Sequence, residues 1–273
     1  MIEFRGVDFS IEGNSILHDV SFRVPRGKTT VILGPSGSGK STILRLLLGL
    51  YQPDAGSIFF DGEDLTQVTP ARLREIRARM GMVFQQGALF DSMTVGENVG
   101  YALLEANGDE EGDVEGRVRQ FLELVGLDPY LIDRMPDQLS GGMQRRVAIA
   151  RALAARDPVV LLYDEPTTGL DPQSAERISD LIVRLRDTLG KTAIMVTHDI
   201  ADAFKVADSV TVLEKGRVVF DGTPGELARD RSPFIQEFLA PFRKAIGAAQ
   251  RQFQAVPGPP APPSATSPEG GRA

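Results

Sequence analysis

An α/β fold with a mostly parallel sheet is predicted for this chain of 273 residues. One indication is the continuous apolar run Val159–Tyr163, which has the length expected of a strand buried on both faces. Another is the alternation of strand and helix patterns with short links, which implies right-handed crossovers between parallel strands. The third is the sequence G-x-x-x-x-G-K-S at residues 34–41, placed between an apolar strand and a helical run.

The first eighty or so residues show strand patterns separated by turn residues, and then helical spacing. Apolar alternation predicts strands at 2–7, 20–24, 29–33 and 57–60, the first of which begin an antiparallel β subdomain. The run 42–50, directly after the glycine-rich loop, is predicted to be helical. A second helix is predicted from Pro70 to Met80, because proline suits a first helical turn.

The middle of the chain, about residues 94–155, is predicted to form a helical subdomain. The acidic stretch 107–113 interrupts it and is interpreted as a solvated loop rather than a binding site. The later elements alternate between helix and strand and end in a hairpin and a last helix. They are predicted at 173–189, 192–196, 200–206, 209–214, 217–220 and 233–249.

Three regions follow from this pattern. Residues 1–240 are expected to form one domain, and residues 241–254 a C-terminal helix or extension. Residues 255–273 consist mostly of Pro, Gly, Ala and Ser, which bury too little apolar surface to fold, and are interpreted as a disordered tail.

Composition excludes several classes of function. With 42% hydrophobic and 25% charged residues, the chain has the make-up of a globular protein, and a net charge of -7 disfavours a nucleic-acid partner. The absence of cysteine excludes disulfides, thiol catalysis and thiolate metal sites. The sequence shows neither a signal-peptide pattern nor an apolar run near the ~20 residues that a membrane span needs. Any membrane role is therefore expected to depend on another chain.

The glycine-rich loop predicts a phosphate site. Its backbone N–H groups are expected to converge on phosphate oxygens, helped by the positive end of the helix that follows. Lys40 is expected to reach the β- and γ-phosphates, and the Ser41 hydroxyl to contact Mg²⁺. The nucleotide contacts predicted here are Gly34, Pro35, Ser36, Gly37, Ser38, Gly39, Lys40, Ser41 and Thr42.

A second possible anion-binding helix start lies at Leu139–Gln144, with the sequence L-S-G-G-M-Q. Ser140 is a good N-cap, and Gly141-Gly142 open a helix that is predicted to run through Arg151. The chain therefore has two such helix starts, although one nucleotide is expected per phosphate loop. This indicates that the two phosphate-binding half-sites meet across a dimer.

Asp164 and Glu165 follow the buried strand, at the sheet edge where ligands of open α/β sheets bind. Asp164 is expected to hold Mg²⁺ through its water shell. Glu165 is expected to orient and deprotonate an attacking water.

Three further polar residues have two readings each. His198 ends another strand and either contacts a γ-phosphate or is structural. Gln85 either gives an amide oxygen to Mg²⁺ and the water or is an ordinary loop residue. Asp171, before Pro172, is either part of the site or only the N-cap of the next helix.

In their order along the chain these motifs resemble the nucleotide-binding subunit of an ATP-binding-cassette (ABC) transporter, over about residues 2–239. The sequence L-S-G-G-M-Q is the discriminating element, since other phosphate-loop enzymes lack it. The resemblance implies an ATPase that uses ATP and Mg²⁺ and works as a head-to-tail dimer. Each site would place Lys40 and Glu165 of one chain against Ser140 and Gly142 of the other, with Asp171 at the interface.

The resemblance also implies roles and partners that the residues alone leave open. His198 becomes a γ-phosphate contact, Gln85 a coupling residue, and Gln144 a member of the second nucleotide contact. An integral membrane permease is the implied partner, with the chain on the cytoplasmic face of the membrane and no nucleic acid involved.

A narrower resemblance concerns the segment 84–95, F-Q-Q-G-A-L-F-D-S-M-T-V. It looks like the corresponding segment in ATPases of MCE-type lipid transporters, and residues 87–90 are its specific part. This implies phospholipid cargo, with an MCE-domain protein and a small STAS-like subunit as further partners. The other reading of residues 87–90 is an apolar loop packed on the helical subdomain.

The adenine contact departs from the wider family. Many cassette ATPases have an aromatic residue where spacing places Ile11, and base stacking of that kind is worth ~1–3 kcal/mol in nucleic-acid complexes. Phe9 lies two residues earlier and is considered as a substitute.

Other cargoes, such as amino acids or lipoproteins, stay open at this point, as does a regulatory ATPase that tethers envelope machinery. Cassette ATPases of DNA repair, translation or cluster assembly are disfavoured, because the chain lacks a second cassette, a long coiled-coil insertion and a basic surface.

Overall fold

The computed structural model describes residues 1–107, 113–155 and 158–243, and within them it has two sheets flanked by helices. The strands are β1 (Ile2–Ile11), β2 (Asn14–Val24), β3 (Thr29–Leu33), β4 (Ala55–Phe60), β5 (Glu63–Asp64), β6 (Met80–Val83), β7 (Val160–Asp164), β8 (Thr192–Thr197), β9 (Ser209–Glu214) and β10 (Arg217–Gly222). The helices are α1 (Lys40–Leu47), α2 (Pro70–Arg77), α3 (Val95–Asn107), α4 (Val114–Leu124), α5 (Gly141–Ala154), α6 (Pro172–Leu189), α7 (Ile200–Val206), α8 (Pro224–Arg229) and α9 (Pro233–Leu239), with short 3₁₀ turns at Pro129–Asp133, Pro136–Gln138 and Ala240–Phe242.

The larger sheet has the strand order β10-β9-β3-β8-β7-β6. Strands β9, β3, β8, β7 and β6 are parallel, and β10 pairs antiparallel with β9 at one edge. The smaller sheet, β2-β1-β4-β5, is antiparallel throughout. The predicted α/β class with an antiparallel N-terminal sheet is therefore confirmed.

The parallel strands are buried on both faces, as their continuous apolar runs predict. Val31, Leu161 and Tyr163 pack into a core with α3 to α7, whereas Ile32 and Leu162 belong to a second core. That second core lies against the antiparallel sheet and α1. Alternate residues of each strand thus stabilise opposite sides of the sheet.

Several elements differ from the sequence-based expectation. The first two strands are longer than predicted and form one hairpin, Ile2–Ile11 with Asn14–Val24. Met80 is not the end of a helix, because α2 ends at Arg77 and Met80 begins a strand that pairs with Val160. The short helix α8, capped by Thr223, was not predicted.

The predicted helical subdomain, about residues 94–155, contains α3, α4 and α5. Most of the acidic stretch, residues 108–112, lies outside the described residues. So do the end of the predicted last helix, residues 244–254 of the extension predicted at 241–254, and the tail predicted at 255–273. In the described part of the chain, no helix combines the length and apolarity needed to cross a membrane.

Candidate active site

The glycine-rich loop and the two carboxylates lie at neighbouring strand ends of the parallel sheet. Leu33, the last residue of β3, pairs with Thr197 of β8, and Asp164, the last residue of β7, pairs with Val196. The backbone N–H of Glu165 donates to the Val196 carbonyl at 2.9 Å. Parallel strand order therefore brings these distant residues to the sheet edge where ligands bind.

The loop between β3 and α1 is shaped to receive an anion. Gly39 has φ +100°, and a Cβ there would lie 2.6 Å from Leu17 Cδ2, so the position requires glycine. The Ser38 hydroxyl is buried, at 4% exposure, and has no hydrogen-bond partner among the described residues. A buried hydroxyl without a partner costs free energy, which a bound phosphate oxygen would recover.

Lys40, the first residue of α1, is buried beside this loop. Its Nζ donates to the carbonyl oxygens of Gly34 at 2.9 Å and Pro35 at 3.0 Å. Burial lowers the pKa of Lys40, and the negative charges of Glu165 and Asp164 oppose that shift. A phosphate group would add the negative charge that stabilises this ammonium. Thr42, also predicted to contact nucleotide, is buried in the same helix.

Ser41 and Asp164 form the predicted magnesium position. The Ser41 hydroxyl donates to Asp164 Oδ1 at 2.8 Å, and burial raises the pKa of Asp164 although this hydrogen bond opposes the shift. Within the described residues, no cluster of three or more His, Asp or Glu side chains could hold a metal alone. The oxygens of Ser41 and Asp164 fit Mg²⁺ when phosphate oxygens and waters complete its coordination.

Glu165 lies between the phosphate loop and His198. Its Oε2 is 3.1 Å from His198 Nδ1 and accepts a hydrogen bond from Thr168 Oγ1 at 2.9 Å. Its Oε1 is 4.0 Å from Lys40 Nζ. A carboxylate at this position can accept a proton from a water that faces the phosphate loop. The structure thus brings Lys40, Glu165 and His198 together, as the sequence predicts.

The second helix start has the predicted cap. The Ser140 hydroxyl accepts from the Met143 N–H at 3.3 Å, and Gly141 and Gly142 begin α5. A Cβ on Gly142 would lie 2.8 Å from Ser174 Oγ, so this glycine also permits α5 and α6 to approach closely. The predicted nucleotide contact of Ser140 and Gly142 stays a prediction.

Gln144 and Asp171 have hydrogen bonds of their own within the chain. The Gln144 side-chain amide donates to the Pro136 carbonyl at 2.7 Å, which ties α5 to the preceding 3₁₀ turn. Asp171 is the N-cap of α6 and accepts from the Ser174 N–H at 3.0 Å. The N-cap reading of Asp171 is therefore correct, and its exposed position leaves the predicted interface role open.

Gln85 lies past the end of β6, at the same edge of the sheet. It is exposed in a turn that the Gly87 N–H closes by donating to the Phe84 carbonyl at 2.8 Å. The structure places Gln85 on a neighbouring strand end, since Val83 pairs with Tyr163. Its contact with Mg²⁺ stays a prediction.

Two arginines of α5 hold this turn, and the sequence analysis did not identify them. Arg145 donates to the Phe84 carbonyl at 2.5 Å, and Arg151 donates to the carbonyls of Gly87 at 3.0 Å and Ala88 at 2.8 Å. Burial lowers the pKa of both guanidinium groups. Three arginines on an otherwise apolar stretch of helix, R-R-V-A-I-A-R, were the available signal, and two of them are Arg145 and Arg151.

The adenine position has no free aromatic ring from β1. Ile11 is 37% exposed at the end of the strand. Phe9 is 5% exposed and stacks on Tyr51, with ring centroids 5.1 Å apart. The suggestion that Phe9 substitutes for the missing aromatic is therefore wrong, because its ring is part of the core.

A phosphate loop, a Ser41–Asp164 pair and the Glu165 carboxylate at one sheet edge define a nucleotide-hydrolysing enzyme of the P-loop class. Comparison with known proteins narrows the class. Residues 17–168 match the family model described as ABC transporter. The chain is 39% identical over 254 residues to the intermembrane phospholipid transport system ATP-binding protein MlaF of Escherichia coli K12, covering 90% of this chain and 94% of MlaF.

Two further comparisons extend this result. The chain is 42% identical over 242 residues to the Fe(3+) ions import ATP-binding protein FbpC of Photorhabdus laumondii, covering 88% of this chain but only 66% of FbpC. A dimeric, post-hydrolysis structure of the ATP-binding cassette MJ0796 with ADP and Pi superimposes with a TM-score of 0.74 at 33% identity. That match covers 82% of this chain and 99% of the cassette.

This chain belongs to the ABC transporter family, as an ATP-binding subunit. It is an ATPase that uses ATP with Mg²⁺, and cassettes of this family dimerise and work with membrane permeases. The recognition and the enzyme class predicted from sequence are confirmed.

Proposed function

We propose that two copies of this chain bind two ATP molecules head to tail and power a permease that moves phospholipids. The arrangement of Glu165 carries this proposal: its carboxylate lies between His198 and Lys40, at the edge where the phosphate loop opens.

The neighbours of the two helix starts support a dimer. The phosphate loop packs against Leu17 and the Leu213 carbonyl, whereas Gly141 and Gly142 pack against Leu170 and Ser174. The Ser140-capped helix start therefore has its own neighbours within the chain, apart from those of the phosphate loop. A second copy supplies the Ser140 end that completes each γ-phosphate site, with Asp171 at the interface.

Residues at the sheet edge have separate tasks in this proposal. The loop N–H groups, Ser38 and Lys40 bind the phosphates, and Ser41 and Asp164 hold Mg²⁺, which neutralises charge on the phosphate oxygens. Glu165 takes the proton of the attacking water, and His198 contacts the γ-phosphate.

The permease is proposed to bind beside Gln85. Phe84, Phe90, Tyr101 and Leu104 are all exposed there. Phe84, Phe90 and Tyr101 line a groove of about 320 Å³ between β6, α3 and α5, and Tyr101 and Leu104 line a larger one of about 940 Å³ on the helical subdomain. Exposed apolar side chains gathered in one place are typical of a protein interface. Attachment to a permease through this surface places the chain at the cytoplasmic face of a membrane.

Phospholipid as the cargo rests on the segment 84–95 and on the similarity to MlaF. In this proposal an MCE-domain protein and a STAS-like subunit complete the assembly. The similarity to FbpC favours ferric iron as the competing cargo.

Purifying the chain with its native permease and extracting the bound molecules tests the cargo. Phospholipid bound to the permease, and ATPase activity that rises when phospholipid vesicles are added, support the proposal. Stimulation by a ferric-iron-loaded binding protein, with no response to phospholipid, would overturn the lipid assignment while leaving the ATPase intact.

Glu165→Gln tests the hydrolytic role. The amide keeps the size of the side chain but cannot accept the proton, so kcat is expected to fall by about 10²–10⁴-fold while ATP still binds. With ATP and Mg²⁺ the variant is expected to accumulate as a dimer in size-exclusion chromatography with light scattering. Turnover at the wild-type rate would refute the base assignment.

A further inference from the structure

We propose that Thr168 is a positioning residue for hydrolysis, whose hydroxyl fixes the Glu165 carboxylate while Lys40 and His198 are engaged by phosphate. The inference rests on the proposed role of Glu165 as general base. It assigns a task to a side chain that is half-buried behind the catalytic edge.

Thr168 holds Glu165 at two points. Its backbone N–H donates to the Glu165 carbonyl at 3.3 Å, and its Oγ1 donates to Glu165 Oε2 at 2.9 Å. Glu165 itself has φ +47°, a left-handed conformation that costs a non-glycine residue free energy. The turn closed by Thr168 therefore holds both the strained backbone and the carboxylate of the same residue.

The other two neighbours of the carboxylate have competing partners. His198 Nδ1 lies 3.1 Å from Oε2, and Lys40 Nζ lies 4.0 Å from Oε1. In the proposed mechanism both side chains turn to phosphate oxygens when ATP binds. Thr168 then remains as a hydrogen-bond donor that belongs to the same turn and does not contact phosphate.

The hydrogen bond also selects which carboxylate oxygen acts. Thr168 occupies Oε2, so Oε1, which faces Lys40 and the phosphate loop, stays free to accept the proton of water. A misplacement of ~1 Å at a reacting group can cost about 10²-fold in rate. If the Glu165 carboxylate were free to rotate, ATP hydrolysis would therefore be slow.

The neighbouring threonine does a different task. Thr167 is buried and hydrogen-bonds Asp202, as does the Ser179 hydroxyl at 2.8 Å. Thr167 therefore belongs to the contact between α6 and α7, whereas Thr168 belongs to the catalytic edge.

ATPase kinetics of the purified full chain test the inference. Thr168→Val keeps the shape and removes the hydroxyl, so kcat is expected to fall about 10- to 100-fold with KM for ATP changed less than about twofold. Thr168→Ser restores the donor and is expected to recover kcat to within about threefold. Thr188→Val, which removes an exposed hydroxyl that donates to the Arg184 carbonyl at 2.7 Å, is the matched control.

A double-mutant cycle separates this inference from the proposed base. In the Glu165→Gln background, Thr168→Val is expected to change kcat less than about twofold, because its effect acts through the carboxylate. Thr168→Ala removes the same hydroxyl with a smaller side chain and must show the same loss, which guards against a folding defect of the valine variant.

Three outcomes overturn the inference: wild-type kcat for Thr168→Val and Thr168→Ala, a serine variant as slow as valine, or full additivity with Glu165→Gln. If Glu165→Gln itself keeps wild-type kcat, the proposed base fails. If Glu165→Gln loses activity while Thr168→Val keeps wild-type kcat, only the positioning role fails.

Discussion

Gly142 lies in the first turn of α5, where it packs against Ser174 of α6, and this contact allows a stability prediction that is independent of nucleotide. A Cβ on Gly142 would lie 2.8 Å from Ser174 Oγ and 2.9 Å from Ser174 Cβ. Both distances are shorter than a normal contact, so Gly142→Ala forces the two helices to shift.

Two opposing effects set the change in the free energy of unfolding for Gly142→Ala. Overpacking of this kind costs about 1–3 kcal/mol. Replacing a helical glycine by alanine contributes about 0.8–1.0 kcal/mol in the other direction. The balance is a destabilisation of about 1 kcal/mol, which for a chain of this size lowers Tm by about 2–4 °C.

Thermal unfolding of the nucleotide-free chain, followed by circular dichroism, measures this change. The rescue is Ser174→Gly, which removes both atoms that the new methyl group would meet. In that background Gly142→Ala is expected to raise Tm, because only the gain in helix propensity remains. An equal Tm change in both backgrounds, or a higher Tm for Gly142→Ala alone, would refute the packing argument and leave phosphate approach as the sole reason for glycine.

Two further predictions concern the base pocket and a buried acid. Ile11→Tyr is expected to lower the Kd for ATP at least about fivefold, because base stacking is worth ~1–3 kcal/mol. Titration calorimetry measures the Kd, with Ile11→Leu as the control, and an unchanged Kd contradicts the assigned adenine position. Burial raises the pKa of Asp202, although its bonds to Thr167 and Ser179 oppose this, so its charge destabilises the folded chain as pH rises through the acid range. Asp202→Asn is therefore expected to raise Tm relative to wild type near neutral pH, with the difference shrinking as pH falls towards about 4; a difference independent of pH would contradict this.

The sequence was sufficient for most of the parallel sheet, because Val159–Tyr163 is a continuous apolar run and the later strand patterns alternate with helix patterns. It misplaced Met80, since a short apolar segment after a helix has the same composition whether it continues the helix or begins a strand. Pairing with Val160, which lies far along the chain, decides the matter.

For the site, motif spacing was sufficient to predict Lys40, Ser41, Asp164, Glu165 and His198 at one edge. It was insufficient for the arginines of α5, because their acceptors are backbone carbonyls that carry no sequence signal. Phe9 was misjudged for a related reason. An aromatic residue in a strand pattern looks the same whether its ring is free or stacked on Tyr51.

The hydrogen bonds from Arg145 and Arg151 to the turn at Phe84–Ala88 join α5 and that turn into one rigid unit. The helix has 14 residues and is therefore about 21 Å long, with Ser140 at one end and Arg151 near the other. In the proposed dimer, Ser140 contacts the ATP bound by the second copy, whereas Gln85 in the turn contacts the Mg²⁺ and water at the ATP site of its own chain. The proposed permease surface beside Gln85 is therefore coupled to both nucleotide sites: to one through α5 and to the other through Gln85. A permease bound beside Gln85 would therefore respond only when both nucleotide sites are occupied.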